Sequence, residues 1–360
     1  MKKLDLYIIK KFLGTFFFAL LLIICIAVIF DLSEKMDEFL DKEAPLKAIV
    51  FDYYFNFIPY FANLFSSLFV FISVIFFTTR MASKSEFIAM FSSGISLNRL
   101  LIPYFIAAGV ITLFSFVLGN FVIPETNKTK LEFQSKYLRT RSSNIVTEYN
   151  MHRQLSPGVY LYVEYFDKSH NEGRRMTLEK LDGVELKSKL SAEMMIWDSI
   201  TEKWTLKNYY IRNFFENDEE IIMGNTIDTF INITPDEFII KLNDVEAMNR
   251  KELNEYIEEQ HLSGVSAVIS SEIEKHKRIA SPFATFILTV IGFSLSVRKM
   301  KGALGINIIL GLLLSFSYIL FMEFSKVFAL KGTFNVILSV WIPNILYSII
   351  AIGIYIKTPK

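Results

Sequence analysis

The chain has 360 residues, 52% of them hydrophobic and 35 of them Phe, with a formal net charge of only +1. That apolar content excludes an ordinary soluble domain and fits a polytopic membrane protein with a polar insert. The near-neutral balance selects no partner class, no nucleic-acid partner is expected, and the single cysteine, Cys25, excludes an internal disulfide.

Lys2, Lys3, Lys10 and Lys11 precede an apolar run over residues 12–30. The run is too long for a signal-peptide core and no small-x-small cleavage site follows, so it reads as a retained first span. An acidic stretch comes next, with Asp31, Glu34, Asp37, Glu38 and Asp41, and it reads as a solvated loop. Within it and just beyond, Lys35, Lys42 and Lys47 are placed to meet anionic lipid headgroups, although lysines at span ends also snorkel for purely structural reasons.

Further runs of membrane length cover about 55–79, 101–123, 280–297, 303–328 and 333–356. A spanning helix needs about 20 mostly apolar residues, and lipid forces each run to satisfy its own backbone as a helix. The loop between the second and third runs reads Arg80-Met-Ala-Ser-Lys84-Ser85-Glu86-Phe-Ile-Ala89-Met-Phe-Ser-Ser-Gly94. Phe87, Met90 and Phe91 recur at helical spacing, and Gly94 suits a helix C-terminus. Such a short amphipathic helix, about 81–94, either lies on the membrane or docks into a partner's groove, and periodicity does not choose between them.

Residues 125–279 form a polar block between the two triplets of spans. Residues 159–166 (VYLYVEYF), 194–197 and 204–211 carry strand signals, with turn signals at Asn171-Glu172-Gly173, Asp182-Gly183 and Asn217-Asp218. That spacing predicts a sandwich or jelly roll over 124–248. Asn249 and Glu252 have capping-box spacing, and 249–279 reads as a helical connector into the fourth span. The expected fold is a polytopic α-helical membrane protein, six transmembrane helices at 1–123 and 280–360, with an inserted all-β jelly-roll domain.

Glu323 lies within the fifth run. Intramembrane ionisable groups are functional candidates by default, but Lys326 is three residues on and offers a local pair. Twelve Lys and Arg lie in the terminal segments and the two short loops on their side, against five (Lys35, Lys42, Lys47, Lys326, Lys331) in the opposite short loops. The positive-inside rule therefore places both termini in the cytoplasm and the block outside it, in the periplasm of a two-membrane cell.

No catalytic constellation is present. His152, His170, His261 and His276 have no metal-ligand spacing, and there is neither a G-x-S-x-G nor a phosphate-binding G-x-x-x-x-G-K-[ST]. If transport here uses ATP, a separate chain hydrolyses it. A secondary transporter would show paired Gly/Pro breaks near mid-membrane, whereas Pro59 and Pro103 lie near span ends and Gly292, Gly311 and Gly353 form no such pair. A membrane sensor would need a signalling output, and only short loops and tails face the cytoplasm.

The loop with Arg80, Ser85-Glu86, Ala89 and Gly94 resembles that of the LptF/LptG (YjgP/YjgQ) permeases. Leu4-Asp5-x-Tyr7, Ile123-Pro124-Glu125, Ser281-Pro282-Phe283 and Trp341-x-Pro343-Asn344 match in the same order, so the resemblance covers essentially the whole chain. The first of these, with the lysine-bearing loop after the first span, is more similar to the G-type (LptG) subunit. The resemblance implies a subunit of an inner-membrane ABC transporter that extracts lipopolysaccharide. Its implied partners are a second six-span permease of the LptF type, a dimer of the ATPase LptB, which uses the ATP and Mg, and an LptC-like periplasmic bridge of similar β folds. No cofactor is expected on this chain itself. The resemblance makes the loop a coupling helix seated in the ATPase, with Glu86 transmitting its stroke and Arg80 flanking it. Lys35 and Lys42 correspond to basic residues that meet lipid A phosphates.

Overall fold

The computed structural model describes residues 3–138, 145–147, 149–167, 170–215, 218–263, 268–297 and 303–358. These form a helical unit from the two ends of the chain plus Glu246–Arg250, and a second unit comprising Arg141–Val245 and Lys251–Ser271.

In the helical unit, α1 (Lys3–Asp41) is followed by a single turn, α2 (Leu46–Ala48), and a π-helical segment, Ile49–Tyr54. Then come α3 (Phe55–Ser83), α4 (Glu86–Ser92) and α5 (Leu97–Val117), which passes through a second π segment, Leu118–Val122, into α6 (Ile123–Tyr137). After the insert come α9 (Val268–Ser296), α10 (Ala303–Leu330) and α11 (Val336–Ile356). Six of the described helical stretches are long and apolar enough to cross a membrane. At 39 residues α1 is roughly 58 Å long, well beyond the ~30 Å hydrocarbon core, so it protrudes from the bilayer.

Packing explains which residues each span spends inward. On α1 the buried stripe is Asp5, Ile8, Ile9, Phe12, Phe16 and Leu20, the three- and four-residue spacing of one helix face. Phe12 stacks on Phe77 of α3 at 5.5 Å, and Tyr104 of α5 stacks on Phe77 at 5.2 Å and meets Phe293 of α9 edge-on at 4.7 Å. A second core joins α3 (Phe71, Ile75) to α9, α10 and α11. Asn344 ties this half together, accepting from Tyr318 Oη at 2.8 Å and donating to the Ala280 carbonyl at 2.8 Å. The outer faces of α1 and α10 stay apolar and exposed, Phe18, Leu21, Ile29, Leu313 and Phe316 among them, as lipid or a second subunit requires.

Gly292 marks a close approach and not a helix break: a Cβ there would lie 3.0 Å from Val74 and 3.1 Å from Phe71. A valine at 292 would force α9 and α3 apart. Gly292→Val is expected to cost about 1–3 kcal/mol, read as a lower thermal midpoint of the detergent-solubilised chain; an unchanged midpoint would remove this packing role.

The insert begins later than residue 124. Helix runs on from α5 through the π segment, past Pro124 directly after it, to Tyr137, and the first described strand is β1 (Ile145–Thr147). The other strands are β2 (Tyr149–Ser156), β3 (Val159–Asp167), β4 (Glu172–Asp182), β5 (Glu185–Asp198), β6 (Lys203–Phe214), β7 (Glu219–Thr229) and β8 (Ile239–Lys241). β2 to β7 form one antiparallel sheet in chain order, and β1 pairs with β8. Two short helices, α7 (Leu242–Ala247) and α8 (Arg250–Ser263), lead back toward α9. At the Asp182-Gly183 turn, Gly183 takes φ +63° in a two-residue hairpin, as that loop length favours.

One face of the sheet is apolar: Met151, Leu161, Val163, Met176, Ala192, Met195 and Leu206 are buried around Trp204. The strict period of two fails once on each central strand. Core positions step by three from Val163 to Phe166, Ala192 to Met195 and Leu206 to Tyr209. The skipped residues lie along one row across the sheet, and two of them, Arg175 and Asn208, have φ +50°. Side chains brace this row, with Arg175 on Glu164 at 2.9 Å and Asn208 on Glu193 at 2.6 Å. The row bends the sheet as a bulge does, so that both halves turn their apolar side to one core.

Candidate functional site

The α3–α5 loop is closed by its own backbone hydrogen bonds. Gly94 at φ +82° closes α4 in a Schellman motif: its N–H bonds the Phe91 carbonyl at 2.9 Å, and Ile95 N–H bonds that of Met90 at 3.2 Å. Ser96 then caps α5 by accepting from Arg99 N–H at 3.4 Å. Phe87 and Met90 are buried in the first core, and Phe87 meets Phe293 edge-on at 6.3 Å. Ile88, Ala89, Phe91 and Ser92 face outward, as does Arg80 on the last turn of α3. Phe91, at 36% exposure, therefore belongs to the outer face with Ile88, at 51%. Ser85 precedes the helix in a left-handed conformation, φ +62°.

Glu86 is bound within its own chain. Its Oε2 accepts from Tyr7 Oη at 2.9 Å, and Lys11 Nζ lies 3.8 Å from Oε1 while sitting 4.4 Å over the Tyr7 ring. The ion pair is partly exposed and long, so the phenol hydrogen bond is the firmer link. Two residues before Tyr7, Asp5 pairs with Arg99 at 2.8 Å. Sequence reasoning singled out Glu86 and Leu4-Asp5-x-Tyr7 but not their pairing, nor Lys11 and Arg99 as partners, because the residues that meet lie 75 to 94 positions apart.

At the opposite end of the bundle the three candidate lysines differ. Lys35 is held by Asp31, one turn earlier, and by the Tyr53 hydroxyl, and Tyr54 Oη also donates to Asp31 at 3.2 Å. Lys42 and Lys47 are exposed. Glu323 forms its local pair with Lys326 at 2.7 Å. Unforeseen in the sequence, further charges gather at this end. Lys130 lies 4.8 Å over the Tyr60 ring, and Arg278, 7% exposed, binds Glu274 and the carbonyls of Met248 and Glu246. Burial pushes the Glu246 carboxyl above its ordinary range; Glu274 adds to the rise, and Lys277, Lys130 and Lys326 oppose it.

Within the second unit a cleft of about 650 Å³ is lined by His152, Tyr160, Tyr162, Glu179, Lys189 and His261, among others. By register most of these strand residues lie on the polar face of the sheet, opposite the apolar core. Among the described residues no group of three or more His, Cys, Asp or Glu is placed to hold a metal ion.

Among the described residues, six membrane-length helices, an inserted antiparallel β domain and a short rooted helix between the second and third spans fit a multi-pass membrane protein. The chain belongs to the family of lipopolysaccharide export system permeases LptF/LptG, which matches residues 6–357. Members are permease subunits of the inner membrane and not themselves catalytic. Among curated proteins no sequence matches this chain significantly.

Proposed function

We propose that this chain is one of two permease subunits of an ABC transporter that extracts lipopolysaccharide from the inner membrane and hands it to a periplasmic bridge. A second six-span chain completes the lipid cavity, and a separate ATPase dimer binds and hydrolyses ATP with Mg. The Leu4-Asp5-x-Tyr7 start favours the G-type role. The lysine bias puts both termini and α4 in the cytoplasm and the β domain in the periplasm.

The observation that carries the reading is α4: two buried anchors, Phe87 and Met90, root it in the bundle, while Ile88, Ala89, Phe91 and Ser92 present a small outer face to a partner's groove. Extraction is costly because each CH₂ leaving the bilayer forgoes about 0.8 kcal/mol. Several acyl chains then oppose tens of kcal/mol unless apolar surface encloses them throughout. The exposed apolar faces of α1 and α10 suit one wall of such an enclosure.

Copurification from native membranes tests this. An ATPase subunit and a second six-span chain should accompany the protein; a lone chain that moves a small solute against an ion gradient would overturn the reading. Lys42 and Lys47 are the headgroup ligands of choice, since Lys35 already neutralises Asp31. Lys42→Glu with Lys47→Glu should weaken capture of lipopolysaccharide by about 1 kcal/mol per lysine, roughly fivefold each, in a photocrosslinking assay; equal capture would remove both from the site.

A further inference from the structure

The side chains of Leu4-Asp5-x-Tyr7 meet both ends of the α3–α5 loop. Tyr7 Oη donates to Glu86, the first residue of α4, at 2.9 Å. Asp5, 5% exposed, pairs with Arg99, the third residue of α5, at 2.8 Å. Leu4 packs against the core that holds Phe87 and Met90. Lys11, one turn after Tyr7, adds its charge to Glu86. The loop between these two attachments is closed by the Schellman motif and the Ser96 cap. The loop also meets α11, where Tyr355 Oη donates to Asn98 Oδ1 at 2.5 Å. Of the six spans α1 is the least embedded, with 17% of its apolar window buried against 61% for α9.

We infer that Asp5 and Tyr7 are positioning residues that clasp α4 and α5 to the end of α1, so that a displacement of α4 is passed to α1. The inference rests on the reading of α4 as the ATPase-docking helix. The role is mechanical: the clasp fixes which span follows the loop.

The test uses the assembled complex in vesicles and reads three quantities: ATPase retained, ATP hydrolysed and lipopolysaccharide released per ATP. Tyr7→Phe removes only the hydroxyl, and Asp5→Asn removes only the charge. Combined, they should keep the ATPase bound and hydrolysing while lipid released per ATP falls about fivefold, the size expected for losing a hydrogen bond and an ion pair of this kind. Exchanging the pair, Asp5→Arg with Arg99→Asp, should restore part of the ratio that Asp5→Arg alone loses. The clasp is overturned if the ratio stays at the wild-type value, or if release falls only in step with loss of assembled complex. Ala89→Arg on the outer face separates this from failure of the underlying reading. If it leaves the ATPase attached, α4 is not the docking helix and the clasp falls with it; if it detaches the ATPase while the clasp variants keep the wild-type ratio, the clasp alone is wrong.

Discussion

Glu86→Lys should abolish most lipopolysaccharide release in reconstituted vesicles, by about tenfold or more, which corresponds to about 1.4 kcal/mol of lost coupling. The substitution acts twice. It removes the acceptor for Tyr7 and sets an ammonium beside Lys11, which already lies 3.8 Å from the Glu86 carboxylate. Arg80 adds like charge on the exposed last turn of α3. The fold should survive, because Glu86 is partly exposed whereas the anchors Phe87 and Met90 remain buried. Release at the wild-type rate with the complex intact would end the coupling role of this residue.

Trp204→Ala should have the largest effect on the β domain. Trp204 is fully buried, meets Phe166, Trp197 and Phe238 edge-on, and donates from Nε1 to the Ile233 carbonyl at 2.8 Å. Truncating such a residue costs about 3–5 kcal/mol, and the stranded carbonyl adds about 1 kcal/mol or more. Against a domain stability of about 5–15 kcal/mol, that lowers the unfolding midpoint by about 15 °C. Protease susceptibility of the insert, followed with temperature in the full-length protein, reads it out. A midpoint within about 2 °C of wild type would show that the indole is not the centre of this core.

The spans were legible because lipid leaves a long apolar run no alternative to helix. The existence of the sheet was legible from β-branched and aromatic runs between turn residues. Its bend was not: the row through Arg175 and Asn208 shifts the inward positions by one, and only cross-strand pairing reveals that several strands shift together. The start of the insert was misplaced because Pro124 read as a helix end, whereas the π segment just before it carries the helix past it to Tyr137. In the candidate site, Glu86 and Gly94 stood out through local spacing, but a phenol 79 residues away cannot be read from a loop. Phe87, Met90 and Phe91 share helical spacing in the sequence, but spacing does not tell which are buried, and on the seven-residue α4 only Phe87 and Met90 are. Lys35 did carry a readable signal, since Asp31 sits one helical turn before it.

The most direct test of the central claim is ATP-driven transfer. Vesicles containing this chain, a second six-span permease, the ATPase and lipopolysaccharide are supplied with a soluble β-fold acceptor, and lipid reaching the acceptor is measured. Transfer should require hydrolysable ATP and all three proteins, and should stop with a non-hydrolysable analogue. Transfer by this chain alone under an ion gradient, or none with the full set and ATP, would contradict the account.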